Sequence, residues 1–389
     1  MPLTDQLDRL ARMEPVPYPV VSLYLNTQPN AHGRDQFQSF VRQEFRSRSA
    51  TYPAGSADRE SLDKDMARIA AYLEAEVEPS ANGIAIFCCS AAEMFEAVQL
   101  SAPIDEHWLY IGDAPHLYPL ARVASKYPRY AAVVADTNTA RIFVFATGEL
   151  VNERLIQGIK TRRTHQGGWS QARFQRHIGN FHTQHAKEVV DALERIVQQE
   201  GITEIFTAGD DVILPLLRDQ LPKHLAEKVV DHLSIDTKAP VGEVLTATIE
   251  AMGRLNERTD REKVDAAIAG HRGGGLGVVG PEETLAALIK GQVDELLIAA
   301  SVSSLEGLSP ERTASMGLNA ATADDSTLLD PAVEPAAGGE PANADPHVVR
   351  LADELVTRAR NTGATVTFIE DASLLQPYGG VAAILRFRI

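Results

Sequence analysis

The sequence predicts an α/β protein of three domains. At 389 residues the chain exceeds what one hydrophobic core ordinarily serves. Short β-rich runs alternate with amphipathic helical stretches along its length, the pattern of layered α/β units. Breaks in that alternation fall near Pro128 and Leu255, so the expected domains are residues 1–127, 128–254 and 255–389.

In the first domain "VVSLYLNT" (Val20–Thr27), "GIAIFCC" (Gly83–Cys89) and "HWLYIG" (His107–Gly112) read as strands, and Asp63–Val77 as a helix. The second opens with a hairpin, Tyr130–Asp136 and Ala140–Ala146 about the turn "TNT", continued by a third strand, "ELVNERLIQ". From Gln171 a helical pattern runs to about Gln199, with Gly201 as its stop. "TEIFTAG" (Thr203–Gly209) is a strand, and a helix follows through Leu217. The third domain is expected to begin with a helix capped by Thr259. A helix with Pro281 in its first turn and the strand "VDELLIAAS" come next. From Thr313 to Val349 there are six acids and four prolines but no Lys or Arg; residues 313–346 are expected to be a flexible acidic insertion. A helix from Asp345 and the strands "ATVTFIE" and "VAAILRFRI" close the chain.

Composition narrows the function. Hydrophobic residues make up 44% and charged residues 23%, ordinary for a soluble globular protein. No run approaches 18 apolar residues, and "MPLTDQLDRLARMEP" lacks a signal core, so a cytoplasmic protein without a membrane partner is expected. Adjacent Cys88 and Cys89 cannot easily close a disulfide, and two sulfurs make no structural zinc site; they are expected in a strand core. A net charge of −16 argues against general nucleic-acid affinity, leaving only a local contact.

One segment is suited to such a contact. From Arg154 to Lys187 stand seven Lys or Arg, four histidines and no acid. At the chain average of 53 acids in 389 residues, four or five acids would fall in this window. Within it, "RRTHQGGWSQARFQRH" places Gly167 and Gly168 where a loop tip can bring its amides close to a ligand. Ser170 is expected to cap the following helix and set Gln171 at its start, where free N–H groups and the positive dipole end favour anionic oxygens. Arg162, Arg163, His165, Arg173, Arg176 and His177 are candidate phosphate contacts, and Trp169 can stack on a base. The whole is a polar probe on a cationic stem.

"GGWSQARFQR" resembles the tip of the central domain in archaeal and eukaryotic class I release factors, whose Gly-Gly-Gln loop precedes an Arg-Phe on a long helix. The flanks "YAAVVADTNTARIFVFATGEL" and "GITEIFTAGDDVILPLLRDQL" follow that family's pattern. "VVGPEETLAALIKGQVDELLI", "TGATVTFIEDASLL" and "GGVAAILRF" resemble its third domain, which has the fold of kink-turn-binding ribosomal proteins. The likeness covers about residues 128–389. It is nearest in kind to the bacterial members and to the ribosome quality-control peptidyl-tRNA hydrolases; Pelota shares the architecture without the catalytic loop.

The resemblance implies hydrolysis of the ester joining a nascent peptide to tRNA, with Gln171, Gly167 and Gly168 at the reacting centre and no cofactor. Its implied partners are the ribosome, through large-subunit rRNA, and peptidyl-tRNA, with a translational GTPase as a further candidate. Counted back from Arg173-Phe174, however, the family's glutamine position holds Trp169, and Gln171 lies two residues later. A non-hydrolytic, Pelota-like ribosome-binding factor is the alternative. Residues 1–127 match no stop-codon-reading motif, so rescue of stalled complexes is expected rather than termination.

Other constellations are weaker. Ser170 with His165 or His177 lacks a local carboxylate to orient the base. His177, His182 and His185 are poorly phased for one metal and are expected to face phosphate or solvent. "GLGVVG" (Gly275–Gly280) follows a helix where a dinucleotide fingerprint needs a strand, and reads as a loop leading into a strand and helix. "AGDD" (Ala208–Asp211) reads as a helix cap.

Overall fold

The computed structural model describes residues 3–28, 37–158, 170–308 and 345–388; for residues 170–178 only the backbone is described. The expected insertion at 313–346 therefore lies almost wholly outside the described residues. The described residues form three sheets, and the chain divides into two compact units, Met1–Lys126 with Thr259–Ile389, and Tyr127–Arg258.

The N-terminal part comprises α1 (Leu3–Ala11), β1 (Val20–Asn26), α2 (Phe37–Thr51), α3 (Ala57–Ala75), β2 (Gly83–Cys89), β3 (Met94–Leu100), β4 (Trp108–Gly112) and α4 (Tyr118–Lys126). Its strands form an antiparallel sheet in the order β3-β2-β1-β4. Alternate residues Val21, Leu23, Leu25, Ile84, Ile86 and Cys88 bury one face under Phe37, Val41 and Phe45 of α2 and Leu62, Met66 and Ile69 of α3. Cys88 and Cys89 are fully buried strand residues, as expected. Beneath them Asp65, also fully buried, accepts from the Cys88 thiol at 3.1 Å and from Ser90 N at 2.5 Å. β3 and α2 were not anticipated.

The central unit comprises β5 (Tyr130–Ala135), β6 (Thr139–Ala146), β7 (Glu149–Gln157), α5 (Ser170–Glu200), β8 (Glu204–Gly209), α6 (Ile213–Gln220), α7 (Lys223–Ala226), β9 (Val229–Leu233) and the first half of α8 (Val241–Arg272). The sheet order is β7-β6-β5-β8-β9: β5, β6 and β7 pair antiparallel, as the expected hairpin requires, while β8 joins β5 and β9 in parallel. The two faces have separate cores. Ala131, Val133, Ile142 and Val144 meet Val189, Leu193 and Ile196 of α5 and Ile213 and Leu217 of α6. Tyr130, Phe143, Phe145 and Phe206 meet Val244, Ala251 and Met252 of α8. Gly201 ends α5 at φ +62°, the left-handed stop that glycine adopts without strain.

The C-terminal part adds β10 (Gly277–Val279), α9 (Pro281–Ile289), β11 (Val293–Ala299), α10 (Pro346–Asn361), β12 (Thr365–Ile369) and β13 (Val381–Leu385). Its sheet runs β10-β13-β11-β12, with β11 and β12 parallel. "GLGVVG" is the loop and short strand leading into α9, as read from the sequence. The cap assigned to Thr259 is overturned: α8 is one helix of 32 residues and Thr259 lies inside it. The intervening "LNER" contains neither Gly nor Pro and nothing else that would end a helix.

Within the first unit, α10 joins the two ends of the chain. It packs on α1 and α4. Its Asp353 receives Leu117 N and Tyr118 N on Oδ1 at 2.9 and 3.0 Å, capping α4, and His116 Nδ1 on Oδ2 at 2.6 Å. Arg360 meets Asp8 at 2.7 Å, Asn361 donates to Ala11 O at 2.9 Å, and the Tyr118 hydroxyl donates to Ala299 O.

Candidate functional site

The site starts where β7 ends. Gly158 donates its N–H to Asn138 O at 2.7 Å, tying the last described residue after β7 to the β5–β6 turn. That turn is itself fixed by Asp136, whose carboxylate receives Asn138 N and Thr139 N at 2.7 Å each and the Thr139 hydroxyl at 2.9 Å. Burial alone would raise the Asp136 pKa. The two amides and the hydroxyls of Thr139 and Thr237 outweigh that, holding it below the usual carboxylate value.

Arg162, Arg163, His165, Gly167, Gly168 and Trp169 lie outside the described residues. The chain resumes in α5, which places Gln171, Arg173, Arg176 and His177 in its first two or so turns. Ser170 is the first helical residue rather than the cap before it, a shift of one position from the sequence reading and within the ordinary blur of helix ends.

Along α5 the environment changes abruptly. No residue from Gly179 to Gln184 is buried. His185 is 3% exposed, and below it Ala186, Val189, Val190, Ala192 and Leu193 pack on the sheet. The expectation that these histidines face phosphate or solvent is corrected at His185. Period 3.6 puts it on the stripe of Val189, Ala192 and Ile196, so the sheet captures it. Neither ring nitrogen has a hydrogen-bond partner among the described residues. The ring lies against Gly158, where an added Cβ would come within 2.8 Å of His185 Nδ1 and 3.2 Å of Asn138 O. Asn138, Gly158 and His185 thus form the base of the loop. The sequence held only a faint signal for this base, a glycine at the end of a strand pattern.

The remaining candidates resolve simply. Asp210 caps α6, accepting Val212 N at 3.0 Å and Ile213 N at 2.8 Å, as the "AGDD" reading required. Among the described residues no group of three or more His, Cys, Asp or Glu could hold a metal ion. No described helix is long and apolar enough to cross a membrane.

A five-stranded sheet followed by a 31-residue helix, with a basic, glycine-bearing stretch of sequence between β7 and α5, is what the release-factor class leads one to expect. The family comparison agrees with that class and narrows it. A family model described as bacterial archaeo-eukaryotic release factor family 10 matches residues 115–252, and one described as eRF1 domain 3 matches residues 262–389. The chain belongs to the archaeo-eukaryotic release factor superfamily.

Among its relatives is an uncharacterized protein of Mycobacterium tuberculosis, 26% identical over 286 residues, 71% of each chain. Similar solved structures include Saccharomyces cerevisiae Dom34 (TM-score 0.44, 11% identity, 79% of each chain). They also include a ribosome-bound archaeal Pelota (TM-score 0.40, 15% identity, 99% of this chain and 94% of that one).

Proposed function

We propose that this protein is a ribosome-associated rescue or quality-control factor that hydrolyses peptidyl-tRNA. The observation that carries the reading is the coincidence of an acid-free, cationic, glycine-bearing segment with a helix none of whose residues from Gly179 to Gln184 is buried. In an acidic protein such an element suits a polyanionic, RNA-lined site and little else. The superfamily supports the ribosome as that site.

In this reading Arg162, Arg163, His165, Arg173, Arg176 and His177 hold phosphates and Trp169 stacks on a base. Gln171 and the Gly167–Gly168 amides orient a water at the ester carbonyl. The water oxygen bonds to the carbonyl carbon, the bond to the tRNA 3′ oxygen breaks, and the products are a peptide acid and a free tRNA hydroxyl. Donors aimed at the developing oxyanion supply the catalysis, and no covalent nucleophile is needed.

The test is single-turnover release of labelled peptide from stalled ribosomes or isolated large subunits. Gln171→Ala is expected to slow release at least about 100-fold while co-sedimentation with ribosomes persists. Equal release by the variant sinks the assignment. Trp169 in the usual glutamine register favours a second reading, a non-hydrolytic Pelota-like binder. That reading holds if the wild type binds ribosomes and releases no peptide.

A further inference from the structure

The cationic segment has a sharp lower edge, marked both by charge and by burial. Lys187 is the last residue of the acid-free window, and Glu188 follows at once. His185 is the first described residue of α5 to be buried against the sheet. From Ser170 to Lys187 the helix has three cations and no acid; from Glu188 to Glu200 it has four acids and only Arg195. The charge of the helix therefore reverses within one turn of the point where it meets its own domain.

The central sheet also carries carboxylates at that level. β5 and β8 run parallel with Ala135 opposite Gly209, so Asp136 and Asp210–Asp211 leave the sheet at one edge. Gly158 departs at that edge too, bonded to Asn138, and His185 lies against it. Glu188 is less than one turn further along α5; it, Asp191 and Asp211 are exposed. Asp136 of the β5–β6 turn and Asp211 of the β8–α6 loop thus stand at the end of the sheet where α5 is first buried, and Glu188 and Asp191 follow on α5.

Phosphates repel such a group over a range of about 8 Å at physiological salt. The stem above it attracts them. Along the axis Gln171 and Lys187 are separated by about 24 Å at 1.5 Å per residue. From this we propose that the carboxylate collar at Asp136, Glu188, Asp191 and Asp211 is a depth stop. It fixes how far α5 enters an RNA-lined channel, so that the channel closes around residues up to Lys187 and the collar stays at its mouth. The collar thereby sets the reach of Gln171. This inference rests on the ribosomal reading above and adds to it a boundary on the interacting surface.

The test places a photo-crosslinking benzoyl-phenylalanine singly at Asn180, Gln184, Lys187, Asp191 or Arg195 in the full chain. All five positions are exposed, so the substitutions are expected to leave the fold intact. Each protein is bound to ribosomes carrying peptidyl-tRNA and irradiated. Crosslinks to large-subunit rRNA are expected from positions 180, 184 and 187, with positions 191 and 195 at the background of an unirradiated control. Strong rRNA crosslinks from 191 and 195 would overturn the depth stop while leaving the ribosomal reading intact, as would ribosome binding with no crosslink from 180, 184 or 187. Failure of the unsubstituted protein to co-sediment with ribosomes would overturn the ribosomal reading itself, and the depth stop with it.

Discussion

At the scale of single residues, Gly158 is constrained by what lies beside it and not by its backbone angles. A methyl group there collides with His185 Nδ1 and approaches Asn138 O. Gly158→Ala is expected to destabilise the central unit by about 1–3 kcal/mol. In a His185→Ala background the same change should cost much less, because the ring that blocks it is gone; chemical denaturation of the four proteins of this cycle measures the difference. The two cysteines carry a second prediction. Burial pushes both thiols above their ordinary pKa, and at Cys88 the Asp65 carboxylate, accepting its hydrogen, adds to the rise. Thiolate is the reactive form. Native protein is therefore expected to resist iodoacetamide at neutral pH, with modification tracking unfolding. Rapid labelling of the folded protein, followed by mass spectrometry, would contradict the packing described.

At the scale of elements, strands and helices with strong periodicity were legible in the sequence. β1, β2, β5 to β8, β11 and α5 stand where alternation and helical spacing put them. β3 was missed because "EMFEAVQL" mixes charge into a strand that is only partly buried. The cap at Thr259 was misplaced because a Thr before Asp and Glu reads as a helix start, whereas the surrounding sequence simply continues a helix. Of the candidate site, the cationic character and the helix were legible. The base was not, because His185 and Asn138 are 47 positions apart and meet only through the pairing of β5, β6 and β7. The long α8 offers its own prediction at Asp260, which is 8% exposed. Burial pushes its carboxyl up to about 6; Glu370 and Glu295 add to the rise, and Lys263 opposes it. The folded state thus binds this proton more tightly than the unfolded chain, so the group favours folding as pH falls from about 6 toward 4 and opposes it above. The shift from 3.8 to about 6 corresponds to about 3 kcal/mol, as an order of magnitude. Asp260→Asn is expected to raise the unfolding free energy from urea denaturation at pH 7.5 by up to that amount and to match wild type near pH 4.

At the scale of the whole molecule, the first unit joins residues far apart in sequence. Residues 1–126 and 259–389 share one compact body, so the N- and C-terminal parts of the chain are packing partners. Asp353 is central to this arrangement. Both of its oxygens are committed to the N-terminal part, to two amides at the start of α4 and to the His116 ring. Because the carboxylate only accepts, His116 Nδ1 must donate, which leaves Nε2 buried and without a partner among the described residues. The rings of Trp108 and Tyr110 lie 4.8 and 4.9 Å from the imidazole. Asp353→Ala would strand two helix-start amides and a buried imidazole together, a loss of about 3–5 kcal/mol if the group behaves as a buried charged partner. Asp353→Asn keeps one acceptor oxygen for the amides but not the charge, and should fall between. Because the joint belongs to both chain ends, its loss should not be local. Hydrogen exchange of Asp353→Ala is expected to accelerate in β1 and β4 as well as in β11 and β12, while β5, β6 and β8 of the other unit keep their wild-type protection. Acceleration confined to α10 would mean that the two ends fold independently and that Asp353 merely ties them together.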